Sequence, residues 1–137
     1  MISAVIVATP VYKAAYSGLL KAFLDLLPQD SLKGKVVLPV ATSAIPGHGL
    51  ALDCALKPVL SALGARHVLD GIYALDQQVF WSPQTGLRLD PGLASRIDER
   101  LARLVDTTRP PGSRPSLTAD SFFPCYDRDP ELVRCWD

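Results

Sequence analysis

Two short apolar runs constrain the fold of this chain more than any other feature of its sequence. Residues 2–8 (ISAVIVA) and 35–41 (KVVLPVA) are rich in β-branched and aliphatic side chains. Runs of this length and composition predict strands that are buried on both faces, as in a parallel sheet covered by helices. No basic residues precede the first run, so it is predicted to be a strand and not a signal peptide.

Helical periodicity follows each of these runs. After Ser17, leucine and phenylalanine recur at a spacing of three or four residues, and Pro28 is expected to end this helix. A second helix is predicted over residues 49–63. Pro58 lies inside it and should kink it or leave backbone groups unpaired.

The rest of the chain continues the alternation. A third strand is predicted at residues 67–74, and residues 76–89 are predicted to form a long loop without regular structure. Asp90 and Pro91 provide an N-cap and a first turn for a last helix with one apolar face, made of Leu93, Ile97, Leu101 and Leu104. This order of elements predicts an α/β fold in three layers around a parallel sheet, with three strands recognisable.

The sequence predicts one domain and a tail. Residues 1–107 hold the α/β pattern, whereas residues 108–137 begin with a proline-rich linker and end in an aromatic segment. The aromatic residues from Phe122 to Trp136 are expected to dock on another surface, because a plain disordered tail contains few such side chains.

Charge and cysteine content exclude several classes of function. The formal net charge is zero, which gives no electrostatic reason to expect nucleic acid or an anionic membrane as partner. No apolar run reaches the roughly 20 residues of a membrane span. Cys54, Cys125 and Cys135 lack the close spacing of a metal site and predict neither a disulfide framework nor zinc. A Cys125–Cys135 disulfide stays open, and a cytoplasmic location is expected.

Two loops are predicted at the carboxyl edge of the sheet, where open parallel sheets bind ligands. The first, residues 9–18, combines a rigid proline, the Tyr12 ring and free backbone amides; the second, residues 41–48, is small and polar. Such loops suit a flat heteroaromatic ring with polar edges, which could stack on Tyr12. The alternative is that both are ordinary connecting loops and that Tyr12 is a surface aromatic.

The first loop and the helix after it resemble a known family. The run TPVYKAAYSG at residues 9–18, with LLKAFLDLLP at residues 19–28, is similar to the flavin loop of NAD(P)H-dependent FMN reductases, which are flavodoxin-like oxidoreductases. The resemblance is strongest to the partner reductases of alkanesulfonate monooxygenases. It continues through GKVVLP at residues 34–39 and ALKPVLSAL at residues 55–63.

This resemblance implies an enzyme that uses NAD(P)H to reduce FMN and passes the reduced flavin to a monooxygenase. Hydride transfer between two stacked rings needs no acid–base residue from the protein. By the motif match, the flavin would be bound by side chains of both loops: Thr9, Pro10, Val11, Tyr12, Lys13, Thr42, Ser43 and Ala44. A quinone or azo-dye reductase on the same fold is a weaker alternative.

Three departures from the family pattern qualify this expectation. The loop of the type Gly-Ser-x-Arg-x-x-Ser, which holds the FMN phosphate in the family, is not found, so the chain is expected to begin at the family's third strand. We therefore expect FMN and riboflavin to bind with similar affinity. The family's Thr-Gly-Gly is Thr42-Ser43-Ala44 here. The alternative function is a non-catalytic flavodoxin-like interaction subunit that has lost flavin binding.

The third departure is Cys54, which stands where alkanesulfonate-type members carry a tyrosine in a π-helical bulge at the subunit interface. With the smaller side chain, we expect a regular helix over residues 49–58 and an aliphatic contact between subunits through its leucines. Without a neighbour, the first strand would leave an apolar edge bare. We expect a homo-oligomer or a hetero-oligomer to cover it, or else the aromatic tail.

Overall fold

In the computed structural model, which describes residues 3–109, the first apolar run forms strand β1, Ala4–Tyr12. This strand continues through Thr9–Tyr12, a segment that the sequence predicted as loop. The chain then reverses at Lys13 and Ala14 into the short strand β2, Ala15–Tyr16, which pairs antiparallel with the end of β1. The start of the first candidate loop is therefore part of the sheet.

Strand β3, Val36–Ser43, lies at the centre of the sheet. It pairs in parallel with β1 on one side, and on the other side in parallel with β4, His67–Val68, and β5, Ile72–Leu75. The predicted parallel sheet is confirmed, with β2 as an antiparallel addition at its edge.

The third predicted strand is interrupted between β4 and β5, and Pro39 of β3 explains the interruption. The Leu69 N–H donates to the Val37 carbonyl, so the odd-numbered residues of β3 point their backbone groups toward the third strand. Pro39 is one of these residues, and it has no N–H to donate. Gly71 packs at this point, where an added Cβ would lie 3.2 Å from the Pro39 carbonyl oxygen and 2.5 Å from Leu52 Cδ1.

Helices cover both faces of the sheet, as predicted. Three helical segments cover one face: helix α1, Gly18–Asp25, the π-helix Ala51–Leu56 and helix α2, Lys57–Ala62. Helix α3, Pro91–Thr108, covers the other face. Helix α1 ends before Pro28, with Leu26 as its C-cap. Two apolar clusters form the core, one on each face. The first includes Val7, Val37, Leu24, Leu56 and Leu60, and the second Val36, Leu38, Ile72, Leu93 and Leu104.

The expectation of a regular helix around Cys54 is wrong, because residues 51–56 form a π-helix. The Lys57 N–H donates to the carbonyl of Leu52, five residues earlier. The next residue, Pro58, has no N–H for the carbonyl of Cys54, which a regular α-helix would require. The wide turn thus has a cause in the backbone, and it does not need an aromatic side chain at position 54.

The predicted subunit contact through the leucines of this helix stays a prediction, although four of its five leucines are not available for it. Leu52, Leu56, Leu60 and Leu63 are buried in the chain's own core, against the sheet. Cys54 is a free, exposed cysteine and does not pack inside the helix layer as a small apolar residue would.

Residues 76–89 are not the long loop that the sequence predicted. A single 3₁₀ turn, Asp76–Gln78, leads into a β-hairpin formed by β6, Val79–Ser82, and β7, Gly86–Leu89. The turn is held by Ser82 Oγ, which accepts a hydrogen bond of 3.1 Å from the Thr85 N–H. Pro83 and Gly86 are residues typical of such turns, and Gly86 has a φ of +66°.

One face of β1 is exposed, in contrast to the predicted burial of both faces. Val5, Val7 and Thr9 point to the first cluster, whereas 52% of Ile6 and 64% of Tyr12 are exposed on the other side. Helix α3 covers β3 and β5 on that side and leaves most of β1 uncovered.

Helix α3 begins at the predicted cap, where Asp90 Oδ1 accepts hydrogen bonds from the Gly92 and Leu93 amides. It ends at Thr108, within one residue of the predicted domain boundary at residue 107. The predicted linker and aromatic tail lie outside the described residues, and so does the Cys125–Cys135 disulfide. Within residues 3–109, no helix combines the length and the apolar character needed to cross a membrane.

Candidate functional site

The sheet brings the two candidate loops together at its carboxyl edge. Pro10 of β1 and Thr42 of β3 are directly paired positions in the parallel register, and Thr42 is also paired with Ala74 of β5. Side chains of paired positions point to the same face of a sheet. Pro10 and Thr42 are both exposed, on the same face of the sheet that α3 covers nearer the start of β3. They form the floor of the candidate site.

Tyr12 extends from this edge at the end of β1. Its paired position is Ala15, so only Lys13 and Ala14 connect the two strands. Both have positive φ, +52° and +62°, which a two-residue turn of type I′ requires. Neither is glycine, so the turn is strained, at a cost of roughly 1–2 kcal/mol per residue in the left-handed region. The turn fixes the backbone at Tyr12, and 64% of this residue is exposed.

Thr9 holds the hairpin against helix α1. It is 5% exposed, and its hydroxyl accepts a hydrogen bond of 3.0 Å from the Ser17 N–H while donating one of 2.9 Å to the Pro10 carbonyl. Ser17 is the N-cap of α1, and its own hydroxyl accepts from the Leu20 N–H. In this geometry the Thr9 side chain orients the residues on each side of it, and its hydroxyl is turned away from the exposed floor.

The second loop is held by two sets of hydrogen bonds. Ser43 is 6% exposed, and its Oγ accepts from the Ile45 N–H at 3.2 Å and donates to the Ile45 carbonyl at 3.4 Å. Tyr73 of β5 donates a hydrogen bond of 2.7 Å from its hydroxyl to the same carbonyl. Ala44 is exposed between these anchors.

The replacement of two family glycines by Ser43 and Ala44 does not strain this loop. Among the described residues, positive φ outside glycine occurs only at Lys13 and Ala14. The backbone at 43 and 44 is therefore in a region that any residue adopts, and the departure noted in the sequence costs little conformational energy here.

The sequence analysis did not predict that Tyr73, a residue of the third strand, holds the second loop. A tyrosine near the carboxyl end of a strand is the only signal that could have indicated it, because Tyr usually directs its hydroxyl to a polar partner. Phe80 and Trp81 are 56% and 66% exposed on the β6–β7 hairpin, so they do not fill the core.

The residues at this edge fit a planar, largely uncharged ring. Pro10, Thr42 and Ala44 present small exposed side chains, and the Tyr12 ring stands at one end. Lys13 is the single charged residue among the candidates, and it is exposed in the strained turn.

Elsewhere the pKa of Lys21 is raised, because the Asp25 carboxylate accepts a 2.7 Å hydrogen bond from its Nζ. That pair lies on α1 and takes no part in the site.

The comparison with protein families decides where this chain belongs. The model of the NADPH-dependent FMN reductase family matches residues 2–79, which include both candidate loops. The chain belongs to this family. The match confirms the resemblance seen in residues 9–28.

Individual relatives agree with the family assignment. An FMN reductase (NADPH) of Escherichia coli (strain K12) is 57% identical over 99 residues, which make up 70% of this chain and 50% of the relative. An FMN reductase (NADPH) of Pseudomonas putida (strain KT2440) is 50% identical over 102 residues, 74% of this chain and 50% of the relative. The chain thus spans about half the length of these curated relatives.

A solved structure supports the fold. The apo form of the NADH:FMN oxidoreductase EMOB superposes with a TM-score of 0.68 and 40% sequence identity, covering 83% of this chain and 56% of that one. The flavodoxin-like α/β architecture that the sequence predicted is confirmed.

Proposed function

We propose that this protein catalyses the reduction of FMN by NAD(P)H. The observation that carries the proposal is the family match over residues 2–79, which contains all eight predicted flavin-binding residues. The parallel register adds support, because it places Pro10 beside Thr42 and so joins the two loops into one surface. The relatives are named for NADPH in two cases and for NADH in the solved structure, so either nicotinamide is a candidate reductant.

The proposed roles follow from position and exposure. Pro10 and Tyr12 would contact one face of the flavin ring, with the exposed Tyr12 ring available for stacking. The Val11 side chain packs against the first core cluster, so this residue would contribute its backbone. Thr42, Ser43 and Ala44 would meet the ring edge through the Thr42 hydroxyl and the loop backbone. Bound FMN would supply the hydride-accepting chemistry, so this chain's residues bind and orient the ring and need not transfer a proton.

Two of the predicted binding residues receive more specific roles. Thr9 would act through its neighbours, since its hydroxyl is engaged by Ser17 and Pro10. Lys13 lies in the strained turn next to Tyr12, where its ammonium group could approach a negatively charged part of a ligand.

The test is NAD(P)H oxidation by the full chain with added FMN, followed at the nicotinamide absorbance under anaerobic conditions. Tyr12→Ala should lower kcat/KM at least tenfold and weaken the quenching of flavin fluorescence, whereas Tyr12→Phe should keep most of both. Phe80→Ala is the matched control, because Phe80 is an aromatic residue of similar exposure, 56%, on the β6–β7 hairpin and outside both candidate loops.

Loss of activity in Tyr12→Ala with normal activity in Phe80→Ala supports the proposal. If the unmodified chain neither binds FMN nor oxidises NAD(P)H, the proposal fails, and the non-catalytic interaction subunit becomes the better interpretation.

We further propose that the protein acts in an assembly and in the cytoplasm, where its reduced flavin would serve a monooxygenase. Helix α1 supports an assembly, because Leu19, Phe23 and Leu26 follow one outer face at helical spacing and are 84%, 58% and 83% exposed. The cysteine spacing, which predicts no disulfide framework, supports the location. Sedimentation of Leu19→Glu beside the unmodified chain tests the assembly: a smaller particle is expected, and an unchanged monomer would contradict it.

A further inference from the structure

One hydroxyl group joins the third strand to the second candidate loop. Tyr73 of β5 donates a hydrogen bond of 2.7 Å from its Oη to the carbonyl of Ile45. The Tyr73 ring is half-buried and packs against the first apolar cluster, so the core fixes the position from which the hydroxyl reaches the loop. Ile45 itself is 56% exposed. Tyr73 therefore ties an exposed loop to the core of the sheet.

Both backbone polar groups of Ile45 are held. Its N–H donates to Ser43 Oγ at 3.2 Å, and its carbonyl accepts from Tyr73 Oη and, at 3.4 Å, from Ser43 Oγ. Ser43 is in turn fixed by the sheet, because it is paired with Leu75 of β5. Of the two bonds to the carbonyl, the one from Tyr73 has the usual length of an O–H···O hydrogen bond and the one from Ser43 is long. Tyr73 is thus the main anchor of this carbonyl.

These bonds determine how Ala44 is presented. Ala44 is exposed between Ser43, the last residue of β3, and Ile45. It is one of the three residues of this loop that are proposed to meet the edge of the flavin ring, partly through the loop backbone. The peptide units on each side set the direction of its backbone groups. If Ile45 were released from Tyr73, Ala44 could turn away from the ring.

The ring and the hydroxyl of Tyr73 have separate tasks. Phenylalanine would keep the ring in the core, so the packing does not depend on the hydroxyl. The net contribution of a neutral hydrogen bond changes a conformational equilibrium by only about two- to tenfold. In an exposed loop this effect falls mainly on local opening, which needs far less free energy than global unfolding. Loss of the hydroxyl should therefore change the loop and leave the fold intact.

We propose that Tyr73 is a positioning residue for flavin binding, whose hydroxyl holds residues 43–45 in the conformation that meets the ring edge. This role rests on the proposed function. Without the hydroxyl, only a fraction of the free chain has the competent loop, and the apparent dissociation constant rises by the inverse of that fraction. Once flavin is bound, the loop is in the competent conformation again, so turnover at saturation changes little.

Backbone order in the free chain is the first measurement. NMR relaxation should give Ala44 and Ile45 order parameters of about 0.85 in the unmodified chain, as in rigid backbone, and Tyr73→Phe should lower them below about 0.6. Ser31→Ala is the matched control, because Ser31 Oγ also donates to a backbone carbonyl, that of Pro28 at 2.6 Å, in the turn that precedes β3. It should leave both order parameters unchanged.

Flavin binding is the second measurement. Tyr73→Phe should raise the dissociation constant and the KM for FMN by about three- to tenfold, with kcat at saturating FMN within about twofold of the unmodified chain. Riboflavin should show the same shift, because the loop is proposed to meet the ring. Ser31→Ala should shift neither constant. A variant that is merely less stable would lose active protein, which lowers kcat and leaves KM unchanged.

Three results would overturn this role. A loop that stays rigid in Tyr73→Phe would show that other contacts hold it. A loop that becomes mobile while FMN affinity is unchanged would show that binding does not depend on its order. A loss of affinity for FMN that riboflavin does not share would assign the effect to the phosphate. If the unmodified chain binds no FMN, the proposed function fails and the role of Tyr73 with it, whereas a failure confined to the Tyr73→Phe comparison leaves the proposed function standing.

Discussion

Replacement of Thr9 by valine tests how the first loop is held. Valine has nearly the same shape as threonine, so the change leaves no cavity at this position, which is 5% exposed. It removes the acceptor of the 3.0 Å hydrogen bond from Ser17 and the donor of the 2.9 Å bond to Pro10. The Ser17 N–H is at the start of α1 and would lose its partner in a half-buried position.

The expected loss follows from the unpaired groups. A donor left without a partner away from water costs about 1–3 kcal/mol, and partial access of water to Ser17 favours the lower half of that range. We expect the free energy of unfolding to fall by about 1–2 kcal/mol in urea titrations followed by circular dichroism, with an unchanged m-value. The melting temperature should fall by about 4 °C for each kcal/mol.

Two controls separate the hydroxyl from other contributions. Thr9→Ser keeps both hydrogen bonds and loses one buried methyl, so it should cost about 1 kcal/mol or less. Thr42→Val makes the same chemical change at an exposed neighbouring position and should alter stability by less than about 0.5 kcal/mol. If Thr9→Val is as stable as the unmodified chain, or more stable than Thr9→Ser, methyl packing holds the loop and the role assigned to the hydroxyl is refuted.

Three further outcomes are expected from urea titration and structure determination. Ala14→Gly should stabilise the chain by about 1 kcal/mol, because glycine adopts positive φ without strain; a loss of stability would show that the turn is not strained. Leu56→Ala should lower the free energy of unfolding by about 2–5 kcal/mol, because Leu56 lies in the core, whereas Leu19→Ala, at an 84% exposed position, should leave it nearly unchanged. Equal effects of the two substitutions would contradict the assignment of core and surface. Pro58→Ala should convert residues 51–56 to a regular α-helix, and a π-helix that persists would show that the proline is not its cause.

The parallel sheet and its helices could be predicted because their patterns are local. The apolar runs that became β1 and β3 and the Asp90 cap of α3 are each visible within a few residues. The interrupted third strand and the π-helix could not be placed in the same way, although Pro39 and Pro58 are the residues responsible for them. A proline shows which N–H is missing, but the residue that loses a partner depends on strand register and helix geometry.

The candidate site was predicted from its two loops, and the structure adds what holds them. Pro10 and Thr42 could be assigned to one edge, because carboxyl ends of parallel strands meet there. The hydrogen bond from Tyr73 to the Ile45 carbonyl joins residues 28 positions apart, and no sequence spacing indicates such a contact. The β6–β7 hairpin was missed because Pro83 disrupted the alternation of its apolar residues.

The close packing at Gly71 links two irregular elements that are distant in sequence. A methyl group there would approach Leu52 of the π-helix within 2.5 Å, and the Pro39 carbonyl at 3.2 Å blocks its movement from the other side. The gap in the third strand and the wide helical turn therefore share one small volume. Substitutions at 71 and 52 should be tolerated as compensating pairs, a larger residue at one position requiring a smaller one at the other. Among natural variants of this sequence, these two positions should then change together.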